Sequence, residues 1–196
     1  MVALPIARPK SLHRDDWLKA AFARLSDLGV EAVRVEVLAR DLGVSKGSFY
    51  WHFRNRIDLL ERMLARWQEE ELHSMDPAEE LSAASRWARF VQRTADPGRV
   101  RIEVALRAWA RRDELVAREV AAVERRRLAL IATVLRDVGF TQAAADAWSQ
   151  VALLVSLGWL DRTTRDRQFQ LAGRGLGEFL SQLVLAASSR SPTPNP

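Results

Sequence analysis

Between Gly43 and Ile57 the chain reads GVSKGSFYWHFRNRI and contains no acidic residue. Lys46, Arg54 and Arg56 make the stretch cationic. A segment that approaches a nucleic-acid backbone has this composition, because each phosphate carries a charge. Tyr50 and His52 can each donate a hydrogen bond to a phosphate oxygen. Gly47 and Ser48 stand near the start of a short helix predicted over 46–52. Bulk there would hold the helix out of a DNA groove, where its N-terminal part meets base edges. Phe49 and Phe53, about one turn apart, can anchor the helix to its core. Trp51 has two readings: it stacks on a sugar-phosphate edge, or it packs against the first helix, the reading adopted here.

Other chemistry finds little support. His13, His52 and His73 fall on separate helices without ligand spacing, and the sequence has no cysteine, so no metal site is expected. The same absence excludes disulfides and a cysteine nucleophile. The GRGLG run at 173–177 looks like a phosphate loop, but no strand precedes it. It lies inside a helical apolar pattern, where Gly173, Gly175 and Gly177 would allow close helix packing. No nucleophile–base pair or perturbed pair of carboxylates points to an enzyme, and no cofactor is expected. The run Glu124-Arg125-Arg126-Arg127 reads as a solvated helix face; binding of an acidic ligand or DNA there is the less favoured reading.

The composition is that of a soluble globular chain: 196 residues, 48% hydrophobic and 28% charged, enough for a core without disulfides or metal. A net charge of +5 and a pI near 10.5 favour an anionic partner. MVALPIARPK, broken by Pro5 and Pro9, is too short for a signal-peptide apolar region. The longest apolar run, VALLVSLGWL at 151–160, is about half of what a membrane span needs. No membrane partner is expected, and the expected location is cytoplasmic.

These residues need helices to position them. Leu18, Ala21, Phe22, Leu25 and Leu28 form one stripe of a helix over 12–28, with Ser11 as N-cap and Gly29 as its end. A second helix over 34–42 turns Val35, Leu38, Ala39 and Leu42 inward. Gly43 follows where a left-handed residue is commonly needed, and Ser45 can cap the third helix. Two short helices joined by about three residues, with glycine in the joint, make a helix-turn-helix. Asn55 and Asp58 have cap-like spacing for a fourth helix reaching about His73, with Leu60, Met63, Leu64 and Trp67 on one face. Further helices follow, broken near Pro97–Gly98, Arg112–Asp113, Gly139–Phe140 and Arg162–Thr164. The stripe of 113–138 is Leu128, Ile131, Leu135 and Val138. That of the last helix is Phe169, Ala172, Leu176, Phe179, Leu180 and Leu183. The polar, proline-rich tail is expected to be disordered.

The run GVSKGSFYWHFRNR closely resembles the TetR-family signature of turn, recognition helix and start of helix four. The resemblance is specific over about 14–57 and architectural beyond. It implies an all-α homodimer: a three-helix DNA-binding domain (1–56), a helical effector-binding and dimerisation domain (57–188) and a disordered tail (189–196). Carried over by motif position, Lys46, Tyr50, His52 and Arg56 are backbone contacts, while Gly47, Ser48 and Phe49 face the groove or its rim. Family members often begin helix two with serine or threonine, which caps it and touches a phosphate. Here the residue is Arg34, which can reach a phosphate but cannot cap, so a frayed helix start is expected. The family uses the C-terminal part for a small-molecule effector. Trp67, Trp87, Trp109, Trp148 and Trp159 fall there as expected pocket-lining residues, against the plainer reading that each fills core.

The expected partners are thus double-stranded operator DNA, an unidentified small-molecule effector and a second copy of the chain. Helices 143–161 and 166–187 are the expected dimer interface, the family pairing these into a four-helix bundle. Effector binding would change the separation of the recognition helices and release a palindromic operator. A helical protein-interaction module without DNA binding is the alternative, though it needs no cationic, acid-free stretch at 43–57.

Overall fold

The computed structural model describes residues 12–75, 82–166 and 175–188, and 83, 84, 164 and 183–188 by their backbone alone. Every regular element among them is helical, as expected. They fall into two compact units that divide at Met63 and Leu64. The expected division was at 56/57; the first two turns of the fourth helix belong to the N-terminal unit.

The N-terminal unit starts with α1 (Arg14–Leu28). Asp16, in its first turn, accepts the His13 N–H at 2.9 Å, satisfying a donor the helix leaves orphaned. Ser11 lies outside the described residues. Trp17, Leu18, Ala21 and Leu25 are buried, while Leu28 is exposed. After one 3-10 turn at Val30–Ala32 comes α2 (Val35–Leu42). Arg34 occupies its N-cap position without a side-chain cap, as expected; its guanidinium instead donates to the Glu31 carbonyl at 3.0 Å. Gly43 then adopts the left-handed conformation at φ +69°. With it, the Val44 N–H reaches back to the Ala39 carbonyl at 2.9 Å, closing the end of α2. A residue with a Cβ would be strained in that conformation. Next come α3 (Lys46–Tyr50) and α4 (Arg56–Ser74). Ser45 stands at the N-cap of α3 without accepting a side-chain hydrogen bond. Asn55 caps α4 by accepting the Asp58 N–H at 2.9 Å, and the Asp58 carboxylate accepts the Arg54 N–H at 2.9 Å.

The C-terminal unit continues α4 and adds α5 (Ala83–Thr94), α6 (Pro97–Ala110), α7 (Glu114–Asp137), α8 (Gln142–Arg165) and α9 (Leu176–Ser188). Polar caps start α6, α7 and α8 near the breaks read at 97–98, 112–113 and 139–140, whereas α8 runs through the break expected at 162–164 to Arg165. Asp96 accepts from Arg99 ahead of α6, Asp113 from Leu115 and Val116 ahead of α7, and Thr141 from Ala144 ahead of α8. A core of Phe90, Ile131, Leu135, Phe140, Leu176 and Leu180 joins α5, α7 and α9. Of the expected stripe of 113–138, Val138 proves exposed. Phe169 and Ala172 lie outside the described residues. Gly177 allows the close packing expected of it: a Cβ there would stand 2.0 Å from Val91 Cγ1 on α5.

The segment Gln142–Thr163 of α8 is long and apolar enough to cross a membrane by length and composition. In this unit it has two faces. Ala145, Ser149, Ala152, Leu153, Ser156 and Leu160 are buried, whereas Val151 and Leu154 are exposed.

One polar cluster is buried inside the C-terminal unit. Glu71 on α4 accepts from Arg93 at 3.0 Å, Arg99 at 2.6 Å and Arg127 at 2.9 Å. Glu103 on α6 accepts from Arg127 at 2.5 and 2.6 Å and from Arg107 at 2.9 Å. Arg107 also donates to Glu124 at 2.5 Å. The run 124–127 is therefore not the solvated face expected of it: Arg125 and Arg126 are exposed, but Arg127 and Glu124 turn inward. Burial pushes the Glu103 carboxyl up, but hydrogen bonds and charge from Arg127 and Arg107 outweigh it and hold it below the ordinary carboxylate range.

Removing one member of a buried ionic cluster leaves its partner uncompensated, so Glu103→Ala should lower the unfolding free energy by about 3–5 kcal/mol in urea titration. Because the folded state holds Glu103 ionised below its unfolded value, its stabilisation is complete above about pH 4.3 and disappears as pH falls through the lower folded value. Wild-type stability should therefore fall more steeply with acidification than that of Glu103→Gln. Separately, Gly177→Val should destabilise by about 1–3 kcal/mol through overpacking, and Val91→Ala in the same chain should recover part of the loss.

Candidate nucleic-acid interface and effector cavity

A five-residue helix has too few internal hydrogen bonds to persist alone, so packing must hold α3. Phe49 supplies it. Its side chain is 0% exposed, 5.3 Å from Trp17 in an edge-on contact and 5.3 Å from Phe53 in a stacked one. Arg14 of α1 closes the same cluster. Its guanidinium lies 5.4 Å over the Phe53 ring and donates to the His52 carbonyl at 2.8 Å. Arg24 ties α1 to α2 through two bonds to Asp41, at 2.6 and 2.7 Å.

The anchor settles which side chains face outward. Helical residues turn about 100° per step, so Gly47 and Trp51 point away from Phe49, and Lys46 and Tyr50 flank it. Lys46 and Gly47 are exposed and Ser48 is half-buried. Tyr50 is 60% exposed and Trp51 88% exposed. His52 is half-buried beside Phe53, and Arg34 is exposed at the start of α2.

Three expectations need correction. Phe49 is not at the groove or its rim, because the aromatic core encloses it. Arg56 is not a free phosphate donor: its guanidinium donates to the Val33 carbonyl at 2.6 Å and the Val30 carbonyl at 2.7 Å, pinning the 3-10 turn to the start of α4. Trp51 does not pack against α1. It stands in solvent, and the signal was available, since a residue two positions from a buried Phe49 must lie on the opposite side. The acid-free stretch also acquires an acid in space: Lys46 pairs with Glu36 of α2 at 3.0 Å. That hydrogen bond and the lysine's charge hold the Glu36 carboxyl below its usual range. Both groups are well exposed, so the pair is weak and Lys46 can exchange it for a phosphate.

In the C-terminal unit a narrow, part-open cavity lies among α4, α5, α6, α7 and α8. Its free interior offers about 40 Å³ to water centres, room for a few waters. Arginines and the buried glutamates form one wall, and Phe90, Leu130, Leu153, Leu157 and Leu160 another. None of the five candidate tryptophans lines it. Trp87, Trp148 and Trp159 pack on the core of α5, α7 and α9, and Trp67 is buried. Trp87 donates to Ser181 and Trp109 to Asp113. For Trp67, Trp87, Trp148 and Trp159 the structure gives packing roles. Among the described residues no group of His, Asp or Glu is arranged to hold a metal ion.

A short, exposed helix held behind a left-handed glycine turn by a buried aromatic defines the N-terminal unit as a helix-turn-helix. Residues 18–63 match the family model described as bacterial regulatory proteins, tetR family. The Escherichia coli tetracycline repressor protein class A from transposon 1721 is 36% identical over 70 residues, 35% of this chain and 32% of that protein. The match thus spans about a third of that repressor's length. Solved structures extend the likeness to the whole fold. A protein from Saccharomonospora viridis, described as a transcriptional regulator and crystallised with choline, has a TM-score of 0.71 at 17% identity, covering 91% of this chain and 96% of that one. SmeT, the repressor of a multidrug efflux pump in Stenotrophomonas maltophilia, gives 0.63 at 18% identity, covering 94% and 98%. Residues 18–63 are thus similar to the tetR family of bacterial regulatory proteins, and the chain shares the fold of these solved structures.

Phe49→Ala should cost about 3–5 kcal/mol of N-terminal-unit stability, read by chemical unfolding, whereas Trp51→Ala should leave stability within about 0.5 kcal/mol. An unfolding midpoint that shifts equally for both would overturn the assignment of anchor and outward face.

Proposed function

We propose that the protein is a homodimeric repressor that binds a palindromic operator and leaves it when a small-molecule effector occupies the C-terminal unit. The observation that carries the DNA-binding part is the outward face of α3, where Lys46, Gly47, Tyr50 and Trp51 stand exposed around a buried Phe49. Lys46, Tyr50 and His52 contact the backbone, Gly47 and Ser48 let the helix approach base edges, and Arg34 reaches a flanking phosphate. Trp51 stacks on the sugar-phosphate edge, the other of its two readings.

Dimerisation places two such helices about 34–36 Å apart, one turn of duplex. The exposed side of α8, with Val151 and Leu154, is the face that a second copy covers, together with α9. That role also accounts for the apolar character of a helix only partly buried within one chain. The protein acts where its DNA is, in the cytoplasm. The effector occupies the cavity of the C-terminal unit and favours a dimer in which the two recognition helices no longer match the groove spacing, so avidity is lost. The choline held by the S. viridis relative is a cation; the arginine-rich cavity here has the wrong sign for such a ligand.

Selection of bound fragments from random duplex DNA should return a palindrome. With that duplex, Lys46→Ala combined with Tyr50→Phe should weaken binding to all sequences and reduce the slope of log affinity against log salt by about one. Fluorescence anisotropy at several salt concentrations reads both quantities; an unchanged slope would remove these residues from the interface.

A further inference from the structure

We propose that the cavity of the C-terminal unit receives a small amphipathic carboxylate, a straight-chain or single-ring organic acid, as the effector. The proposal rests on the effector-released regulator described above and adds the chemistry of the ligand.

Charge comes first. Five arginines line the cavity, Arg86, Arg89, Arg93, Arg99 and Arg127, against two glutamates, Glu71 and Glu103. Both glutamates are engaged at both carboxylate oxygens by the arginines around them. They have little left to offer a cation. The arginines are in the opposite position, because a guanidinium carries five N–H donors and no acceptor. The Nε of Arg86 and the Nε of Arg93 are buried without any hydrogen-bond partner. Arg86 has its one ion pair with Asp137, and Arg89 makes no ion pair among the described residues. The cavity wall therefore holds more donors than acceptors and more positive than negative charge, a combination that an anion relieves.

Spacing comes second. Arg86, Arg89, Phe90 and Arg93 succeed one another at intervals of three, four and seven on α5 and so share one face. Three guanidiniums and one aromatic ring are delivered by a single helix. A planar guanidinium matches a carboxylate with two parallel hydrogen bonds. Facing them, Leu153, Leu157 and Leu160 of α8 supply an apolar surface. A bare inorganic anion would leave that surface in water; an apolar tail covers it. The narrow interior limits the occupant to a slender body.

The full-length protein should be titrated with octanoate and phenylacetate, with octylammonium and inorganic phosphate as controls. Isothermal calorimetry and the thermal midpoint read binding. One of the two acids should bind saturably and raise the midpoint in a concentration-dependent way, while octylammonium and phosphate do neither. Arg89→Met breaks no ion pair, so it should keep the ligand-free midpoint and weaken acid binding by about tenfold. Arg93→Met should weaken it at least as much, though its bond to Glu71 makes the folded midpoint a necessary control. Failure of both acids to bind folded protein, equal binding of phosphate, or acid binding indifferent to Arg89→Met would each overturn the proposal. The same samples are tested against the selected duplex. DNA binding without acid binding would sink the ligand class and leave the regulator intact; acid binding that leaves DNA affinity unchanged would keep the site and sink effector release.

Discussion

A helix of five residues depends on something other than its own hydrogen bonds. Nucleating a helical turn is unfavourable, and α3 is too short to recover that cost by propagation. Phe49, enclosed by Trp17 and Phe53, supplies the missing free energy. Burying an aromatic side chain also fixes its azimuth, and here azimuth matters more than stability. Once Phe49 points inward, the 100° step of the helix places Gly47 and Trp51 outward and Lys46 and Tyr50 on one flank. The chemistry of the outward face is thus set by a residue that is itself enclosed. The left-handed Gly43 and the Asn55–Asp58 cap fix where α3 can begin and where α4 takes over.

Local signals were legible in the sequence, and contacts across the fold were not. Gly29, Gly43 and Gly139 have positive φ where helix ends were read, because the left-handed region is a property of single residues. Asp113 and Asn55 cap helices for the same local reason. Arg56 shows the limit. It stands in a cationic run and looks like its neighbours, yet it donates to carbonyls 23 and 26 residues earlier. No spacing rule brings those carbonyls to it. Lys46 and Glu36 are similarly ten positions apart and meet only because the turn folds α3 back on α2. Trp17 was missed for another reason. It extends the inner face of α1 by one position beside Leu18, and a stripe counted in threes and fours passes over an adjacent pair.

The C-terminal unit shows the same division more sharply. Tryptophan frequency pointed to a ligand pocket, but large aromatics serve cores equally well, and Trp67, Trp87, Trp148 and Trp159 do so here. The cavity is instead lined by arginines scattered through α5, α6 and α7. Read along the chain, Arg127 is one of three consecutive arginines on a solvated face. Its inward turn is decided by Glu71 and Glu103, 56 and 24 residues away.

Such a cluster is not explained by stability. Removing charges from water costs several kcal/mol per ion, and well-packed apolar residues of similar volume often replace a buried ion pair without loss. What apolar residues cannot supply is a surplus of directed donors. Glu71 draws arginines from three helices onto α4, and Glu103 holds Arg127 against α6. Yet the two carboxylates do not exhaust the donors gathered around them, as the unpartnered Nε atoms of Arg86 and Arg93 show. Buried polar groups are normally satisfied, so donors left over beside an apolar wall mark a surface arranged for something besides its own chain. The arrangement that aligns the helices therefore also keeps the cavity electropositive, and an anion held there would be coupled to the packing of α4 through the same arginines.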